Sequence, residues 1–222
     1  MKAKINEIFE SIQGEGPVVG YKQLFIRFCN CNLNCNYCDT EFNEGQEYSA
    51  QDLYDKITKE YNLSTIHSIS LTGGEPLLSV GFLEEFLPLI KGETKVYLET
   101  NATLDQNLER ISKYIDIISA DIKLESATGL NTKTLHENFF EKCKTINTFA
   151  KIVFDENITK QEIENCILLG KKYNIELILQ PKMIGNKMSV SSDFCNELLN
   201  EFTKKYPNCR LIPQVHKFLD VR

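Results

Sequence analysis

The sequence predicts an α/β protein: a partial, open parallel (β/α) barrel with an N-terminal extension and a cysteine-rich loop after the first core strand. Three observations predict it. Short runs rich in Ile, Val, Leu and aromatics alternate with amphipathic runs of near-3.6 spacing. Such alternation builds a parallel sheet with right-handed crossovers. The 222 residues hold six or seven strand–helix units, too few for a closed eight-stranded barrel of typical size.

The strand runs, in order, are "YKQLFIRFC" (21–29), "IHSISLTG" (66–73), "KVYLET" (95–100), "DIISADIK" (116–123), "TFAKIVF" (148–154), "IELILQP" (175–181) and "RLIPQVH" (210–216). Each is bounded by turn residues. Helical patterns lie between them. "SAQDLYDKITKEYN" starts at Ser49, a plausible N-cap, and "LDQNLERISKY" has helical apolar spacing. "TKQEIENCILLGKKYN" sets Thr159 three residues ahead of Glu162, the spacing of a capping box. "SSDFCNELLNEFTKKY" closes the series. No linker or repeat divides the chain, so residues 1–222 read as one domain. A long loop, not a helix, follows the first strand. In parallel α/β folds chemistry gathers at the C-terminal strand ends. The cysteine loop, "LTGGEP" and "ETN" all fall there.

Composition narrows the classes. Hydrophobic content of 42% and charged content of 25% suit a globular protein with one sizeable core. A net charge of −6 without a basic block argues against nucleic acid as the main partner. No apolar run approaches a membrane span, and "MKAKINEIFESIQGEG" has no apolar core of a secretory signal, so a cytoplasmic location is expected. In that reducing setting clustered cysteines suggest metal or redox chemistry before disulfides.

The cluster is "RFCNCNLNCNYCDTEF" (27–42), which holds four of the eight cysteines within ten residues. Cys31, Cys35 and Cys38 have the spacing C-x3-C-x2-C. Three thiolates can hold three irons of a [4Fe–4S] cluster and leave the fourth iron open, as catalysis requires. The competing arrangement is a four-cysteine zinc knot that includes Cys29, but its spacing does not match paired zinc knuckles. By alternation Cys29 belongs to the strand, on the face of Phe25 and Arg27, and reads as a packed thiol.

The cysteine loop, Tyr37 just before its last cysteine, and the Gly73–Pro76 "GGEP" at the next strand end together resemble the radical S-adenosylmethionine superfamily. There the open iron is chelated by the methionine part of S-adenosylmethionine, and the GGEP backbone binds its amino group. "SIQGEG", "RFCNCNLNCNYCDT", "LTGGEP", "LETN" and the C-terminal "RLIPQVHKFLDVR" further resemble the 7-carboxy-7-deazaguanine synthase family, over nearly the whole chain. The resemblance implies a shortened barrel, a homodimer, and conversion of 6-carboxy-5,6,7,8-tetrahydropterin to 7-carboxy-7-deazaguanine with release of ammonia, on the way to queuosine. It also implies an external electron donor such as flavodoxin or ferredoxin, and Mg²⁺.

Residue roles follow from that resemblance. Ile12, Gln13 and Gly14 line the pterin, and Thr72 contacts it. Arg27 pairs with its carboxylate. Thr40 binds Mg²⁺ through its hydroxyl. Tyr37, Gly74, Ser119 and Gln180 contact S-adenosylmethionine. Cys31, Cys35 and Cys38 hold the cluster. An inward Arg needs an anion beside it, and a protein acid, Glu15 or Glu99, is the other candidate for Arg27. Two features depart from the family pattern. Asn30 stands where Gly is usual, and Asn tolerates a left-handed turn. "SADIKLES" replaces a Ser-Pro-Lys run, and its "DIK" is similar to activases of glycyl-radical enzymes. Such an activase, or a non-catalytic iron–sulfur or zinc module, is the alternative function.

Overall fold

The computed structural model describes residues 1–35 and 45–221. β1 (Lys2–Ile12) and β2 (Lys22–Phe28) form an antiparallel hairpin, and β3 (Gln46–Ser49) pairs antiparallel on the other edge of β1. The chain continues through α1 (Ala50–Glu60), β4 (Ser68–Gly73), α2 (Val80–Ile90), β5 (Lys95–Thr100) and α3 (Asp105–Ile111). Then come β6 (Ile117–Asp121), α4 (Glu125–Thr128), α5 (Lys133–Lys142), β7 (Asn147–Phe154), α6 (Lys160–Tyr173) and β8 (Glu176–Pro181). A small hairpin of β9 (Met183–Ile184) and β10 (Lys187–Met188), α7 (Ser192–Lys205), β11 (Cys209–Leu211) and α8 (Val215–Leu219) complete it.

Among the described residues the main sheet has nine strands in the order β11-β8-β7-β6-β5-β4-β2-β1-β3. Every neighbour pair from β11 to β2 is parallel. Its two edges do not meet, so the barrel is open, as the number of strand–helix units predicts. Six of the seven sequence-predicted strands are observed within two residues of their expected limits. The seventh is corrected: β11 stops at Leu211, and Val215 starts α8. Pro213 lies between them and has no N–H for a sheet ladder. The extension upstream of β2 is a full strand, β1, which the sequence reading left unassigned.

Alternation gives each parallel strand two environments. Outward residues such as Ile69, Leu71, Leu98, Ile118, Ile152 and Leu179 pack under the helices in the main core. Inward residues are layered. Tyr97, Ile117, Phe149 and Ile178 form a second apolar cluster that plugs the barrel, with Val18 and Ile212 against it. Above the plug, toward the C-terminal strand ends, the inward side chains turn polar: Thr72, Glu99, Ser119, Asp121, Lys151 and Gln180 line a cavity.

Both sequence-read helix caps are present. Ser49 and Thr159 each accept from the backbone N–H three residues on, of Asp52 and Glu162, and those carboxylates reach back to close capping boxes. Thr159→Ala removes the α6 cap and is expected to lower stability by about 1 kcal/mol. Urea unfolding should show a lower midpoint at unchanged slope.

Candidate active site

The cavity at the C-terminal strand ends has a volume of about 280 Å³. All ten sequence-predicted site residues within the described segments line it: Ile12, Gln13, Gly14, Arg27, Cys31, Cys35, Thr72, Gly74, Ser119 and Gln180. Tyr37, Cys38 and Thr40 lie outside the described residues. Cys29 is buried below the loop, its N–H on Lys4 O, with Gly45 packed so close that a Cβ there would come within 2.3 Å of its Sγ.

The cysteine loop leaves β2 through Asn30, whose φ of +69° is the left-handed turn that asparagine tolerates. Its carbonyl accepts from Glu75 N–H at 2.8 Å, and Gly74 N–H donates to Phe28 O at 2.9 Å. Gly73 makes this approach possible. It holds φ +109°, and a Cβ there would sit 2.4 Å from Phe28 O and 2.7 Å from Arg27 Cγ.

Glu75 is fully buried. Its carboxylate accepts from Leu77 N–H at 3.1 Å, Thr100 Oγ1 at 2.8 Å and Asn101 N–H at 2.8 Å. Burial pushes its carboxyl up to about 7, against the pull of these donors. Asn101, fixed this way, turns its side-chain amide to Cys31 Sγ at 3.7 Å and to Asn32 Oδ1 at 2.8 Å. Leu33 N–H also points at Cys31 Sγ, at 3.5 Å. N–H groups aimed at sulfur fit a thiolate that ligates iron. The residues on the far wall fit a ligand with several donors: Gln180 Oε1 and Asp121 Oδ1 are buried oxygens with no hydrogen-bond partner among the described residues.

The other half of the cavity is held by charge. Glu15 pairs with Lys151, whose ammonium also lies 3.5 Å from Asp121, and Lys123 Nζ binds Asp121 at 2.8 Å. Gln214 Nε2 donates to the free oxygen of Glu15 at 2.6 Å. Burial alone would raise Glu15, but the charge and hydrogen bond of Lys151 and the Gln214 amide outweigh it and hold the carboxyl at about 2. Burial opposes the charge of Lys151 too, yet Glu15, Asp121 and Glu99 keep its ammonium well above the usual range. The C-terminal segment is docked on the same loop. Val215 N–H donates to Gly14 O at 2.9 Å, and a Cβ at Gly14 would come within 2.2 Å of His216 Nδ1.

Among the described residues both acids named from the sequence as partners for Arg27 are engaged elsewhere. Glu15 is occupied by Lys151 and Gln214. Glu99 accepts from Gln13 Nε2 at 2.9 Å, Ser70 Oγ at 3.2 Å and Thr72 Oγ1 at 2.8 Å. Arg27 is half-buried beside the cavity, and among the described residues its guanidinium partner is the ring of Phe9, 5.6 Å away. Gln13 is more engaged than the sequence suggests: its main chain closes the hairpin with Gly20 and Tyr21, and its side chain binds Gln23 and Glu99. Sequence reading missed Lys151, Asn101 and the docked Gln214 and His216. The signal for Lys151 was a lysine on the same strand face as Phe149 in "TFAKIVF", within a run otherwise free of charge.

Sequence and fold comparisons agree on the class. Residues 25–176 match the Radical SAM superfamily. The chain is 34% identical to the 7-carboxy-7-deazaguanine synthase of Geobacter sulfurreducens, over 98% of this chain and 97% of that one. It is 33% identical to the enzyme of the same name from Archaeoglobus fulgidus, over the full length of both. In fold it resembles QueE from Escherichia coli, with a TM-score of 0.68 and 21% identity over 97% of this chain and 95% of that one. The chain belongs to the Radical SAM superfamily, and within it to the 7-carboxy-7-deazaguanine synthase family.

Lys151→Met leaves Glu15 buried without its cation and is expected to cost roughly 3–5 kcal/mol of stability. Adding Glu15→Gln should recover much of it, because the stranded charge is gone. The native pair also sets an acid limit. Since Glu15 is lowered from 4.5 to about 2, its contribution is complete above pH 4.5 and is lost as pH falls toward 2. Thermal melts of wild type and the double variant across that range should converge at the acid end.

Proposed function

We propose that the chain contracts the ring of 6-carboxy-5,6,7,8-tetrahydropterin to 7-carboxy-7-deazaguanine and releases ammonia, in the pathway to queuosine and other deazapurines. One observation carries the reading. The likeness to synthases of that name runs over 98% of the chain or more at 33–34% identity, and so includes the N-terminal loop and the C-terminal segment that wall the cavity. Superfamily membership implies a [4Fe–4S] cluster and S-adenosylmethionine. When bound, they supply hydrogen-atom abstraction at an unactivated carbon.

The protein's share is positioning, charge balance and exclusion of water. Cys31, Cys35 and Cys38 hold the cluster, with the Asn101 amide and Leu33 N–H steadying the Cys31 sulfur. Gly74 brings bare backbone to S-adenosylmethionine, and Tyr37, Ser119 and Gln180 complete its site. Arg27 takes the substrate carboxylate in a charge-assisted bond. Thr40 would offer its hydroxyl to a Mg²⁺ ion, which would add positive charge beside the substrate carboxylate. Ile12, Gln13, Gly14 and Thr72 frame the pterin. Glu99 holds Gln13 and Thr72 in place, while Lys151, Glu15 and Gln214 lock the loop and the C-terminal segment over the cavity. The whole chain acts as one domain and works as a homodimer in the cytoplasm, reduced by a flavodoxin or ferredoxin. Among the described residues no helix is long and apolar enough to cross a membrane.

Anaerobic turnover with the carboxy-tetrahydropterin tests the reading directly: the deazaguanine chromophore should appear only with reductant and S-adenosylmethionine. Cys31→Ala, Cys35→Ala and Cys38→Ala should each lose the cluster and all turnover, whereas Cys29→Ala should keep its iron. Iron and sulfide content after anaerobic reconstitution separates these results, and a Cys29 variant devoid of iron would refute the three-ligand assignment.

Arg27→Ala should keep the cluster and cleave S-adenosylmethionine, yet lose roughly 1.5–3 kcal/mol of substrate or transition-state binding. Thr40→Ala should mainly change the response to Mg²⁺. Rates for both variants over a Mg²⁺ titration check this, and an unchanged response would remove Thr40 from the site.

A further inference from the structure

Arg27 is held in a way the assigned site residues do not explain. A lone guanidinium on a long stem has many rotamers, and ordering it costs entropy. Here the stem is confined on one side by Gly73, where a Cβ would stand 2.7 Å from Arg27 Cγ. On the other side the guanidinium carbon lies over the Phe9 ring, 5.6 Å from its centre. Phe9 is itself fixed. It is 7% exposed, and its ring stacks on that of Phe25 at 5.2 Å and 10°. The register explains the stack: Phe9 is paired with Phe25 across the β1–β2 hairpin and is the diagonal neighbour of Arg27. Phe9, Phe25 and Arg27 all line the cavity. A ring face attracts the cation without offering it a carboxylate, and although Glu7 stands directly opposite Arg27 in the register, among the described residues no ion pair joins the two, so the charge stays available to a bound anion.

We infer that Phe9 is a positioning residue that presents the Arg27 guanidinium to the substrate carboxylate, and so sets selectivity for a carboxylated pterin. The inference rests on the carboxylate role of Arg27. Its test uses full-length reconstituted protein. Phe9→Leu keeps apolar bulk and removes the ring. It should raise KM for the carboxy-tetrahydropterin roughly 3- to 30-fold, the range of a cation–π contact. Iron content, and competitive inhibition by a tetrahydropterin that lacks the carboxylate, should not change. Phe9→Tyr should restore KM. In an Arg27→Ala background Phe9→Leu should add nothing. Should Phe9→Leu fold poorly, fluorinated phenylalanines at position 9 weaken the ring face at constant shape, and KM should rise with each fluorine.

Several outcomes would overturn the inference: equal weakening of the carboxylate-free inhibitor, additive effects in the double variant, or a KM indifferent to fluorination. Two of the readouts tell its failure from that of the reading beneath it. If wild type makes no deazaguanine, or if Arg27→Ala weakens both ligands alike, the proposed reaction or the carboxylate role of Arg27 is wrong. If Arg27→Ala discriminates and Phe9→Leu does not, only the platform is wrong.

Discussion

Glu75 offers no surface to water, and its carboxylate binds the start of its own helical turn at Leu77 and the end of β5 at Thr100 and Asn101. Its N–H holds Asn30, the first turn of the cysteine loop. One buried acid therefore ties three strand ends together. Burying a carboxyl is unfavourable and pushes Glu75 up to about 7, and three donors, Leu77 N–H, Thr100 Oγ1 and Asn101 N–H, offset that cost. The position of Cys31 depends on this knot, since Asn101 reaches the sulfur from a backbone that Glu75 pins. The GGEP segment thus has two separable tasks. Its glycines let backbone approach backbone, and its acid fastens the loops on either side.

The layered barrel interior explains why the chemistry sits at one end. Tyr97, Ile117, Phe149 and Ile178 pack together in the lower layer, and none of them lines the cavity. Directly above them the same strands carry Glu99, Ser119, Asp121, Lys151 and Gln180. Charges at that depth need partners, and the protein supplies most of them from outside the barrel. Glu15 comes from the β1–β2 loop and Gln214 from beyond β11. The β1–β2 loop and the C-terminal segment are thereby drawn against the cavity, and they add walls to the open barrel.

Much of this was legible in the sequence, for identifiable reasons. The parallel strands are short apolar runs buried on one face by helices, and that signal is local. The caps at Ser49 and Thr159 are local as well. The left-handed turn at Asn30 follows from its side chain. β1 was not legible, because "KAKINEIFESI" mixes charge with apolar residues; it runs antiparallel between β2 and the short edge strand β3, where half-exposed side chains weaken the alternation. The end of "RLIPQVH" was misread because its apolar composition outweighed the proline that stops the strand. Lys151 shows a further limit. A lysine in an apolar run marks something unusual, but its partners at Glu15 and Asp121 are long-range and no spacing rule gives them.

The same contrast runs through the site itself. The cysteine-rich side of the cavity is encoded in contiguous motifs, because its cysteines stand on one loop and glycine stands where backbones touch at Gly73. The rest of the cavity is assembled from single residues on separate elements: Arg27 on β2, Thr72 on β4, Glu99 on β5, Lys151 on β7 and Gln180 on β8. A motif reports the first half because its geometry is set within a few residues of chain. The second half is set by inward alternation on parallel strands, so its members are recognisable only after the sheet order is known. Phe9 belongs to this second kind. Its place beside Arg27 is a consequence of hairpin register, and a hairpin with one residue of slip would turn the ring to the opposite face.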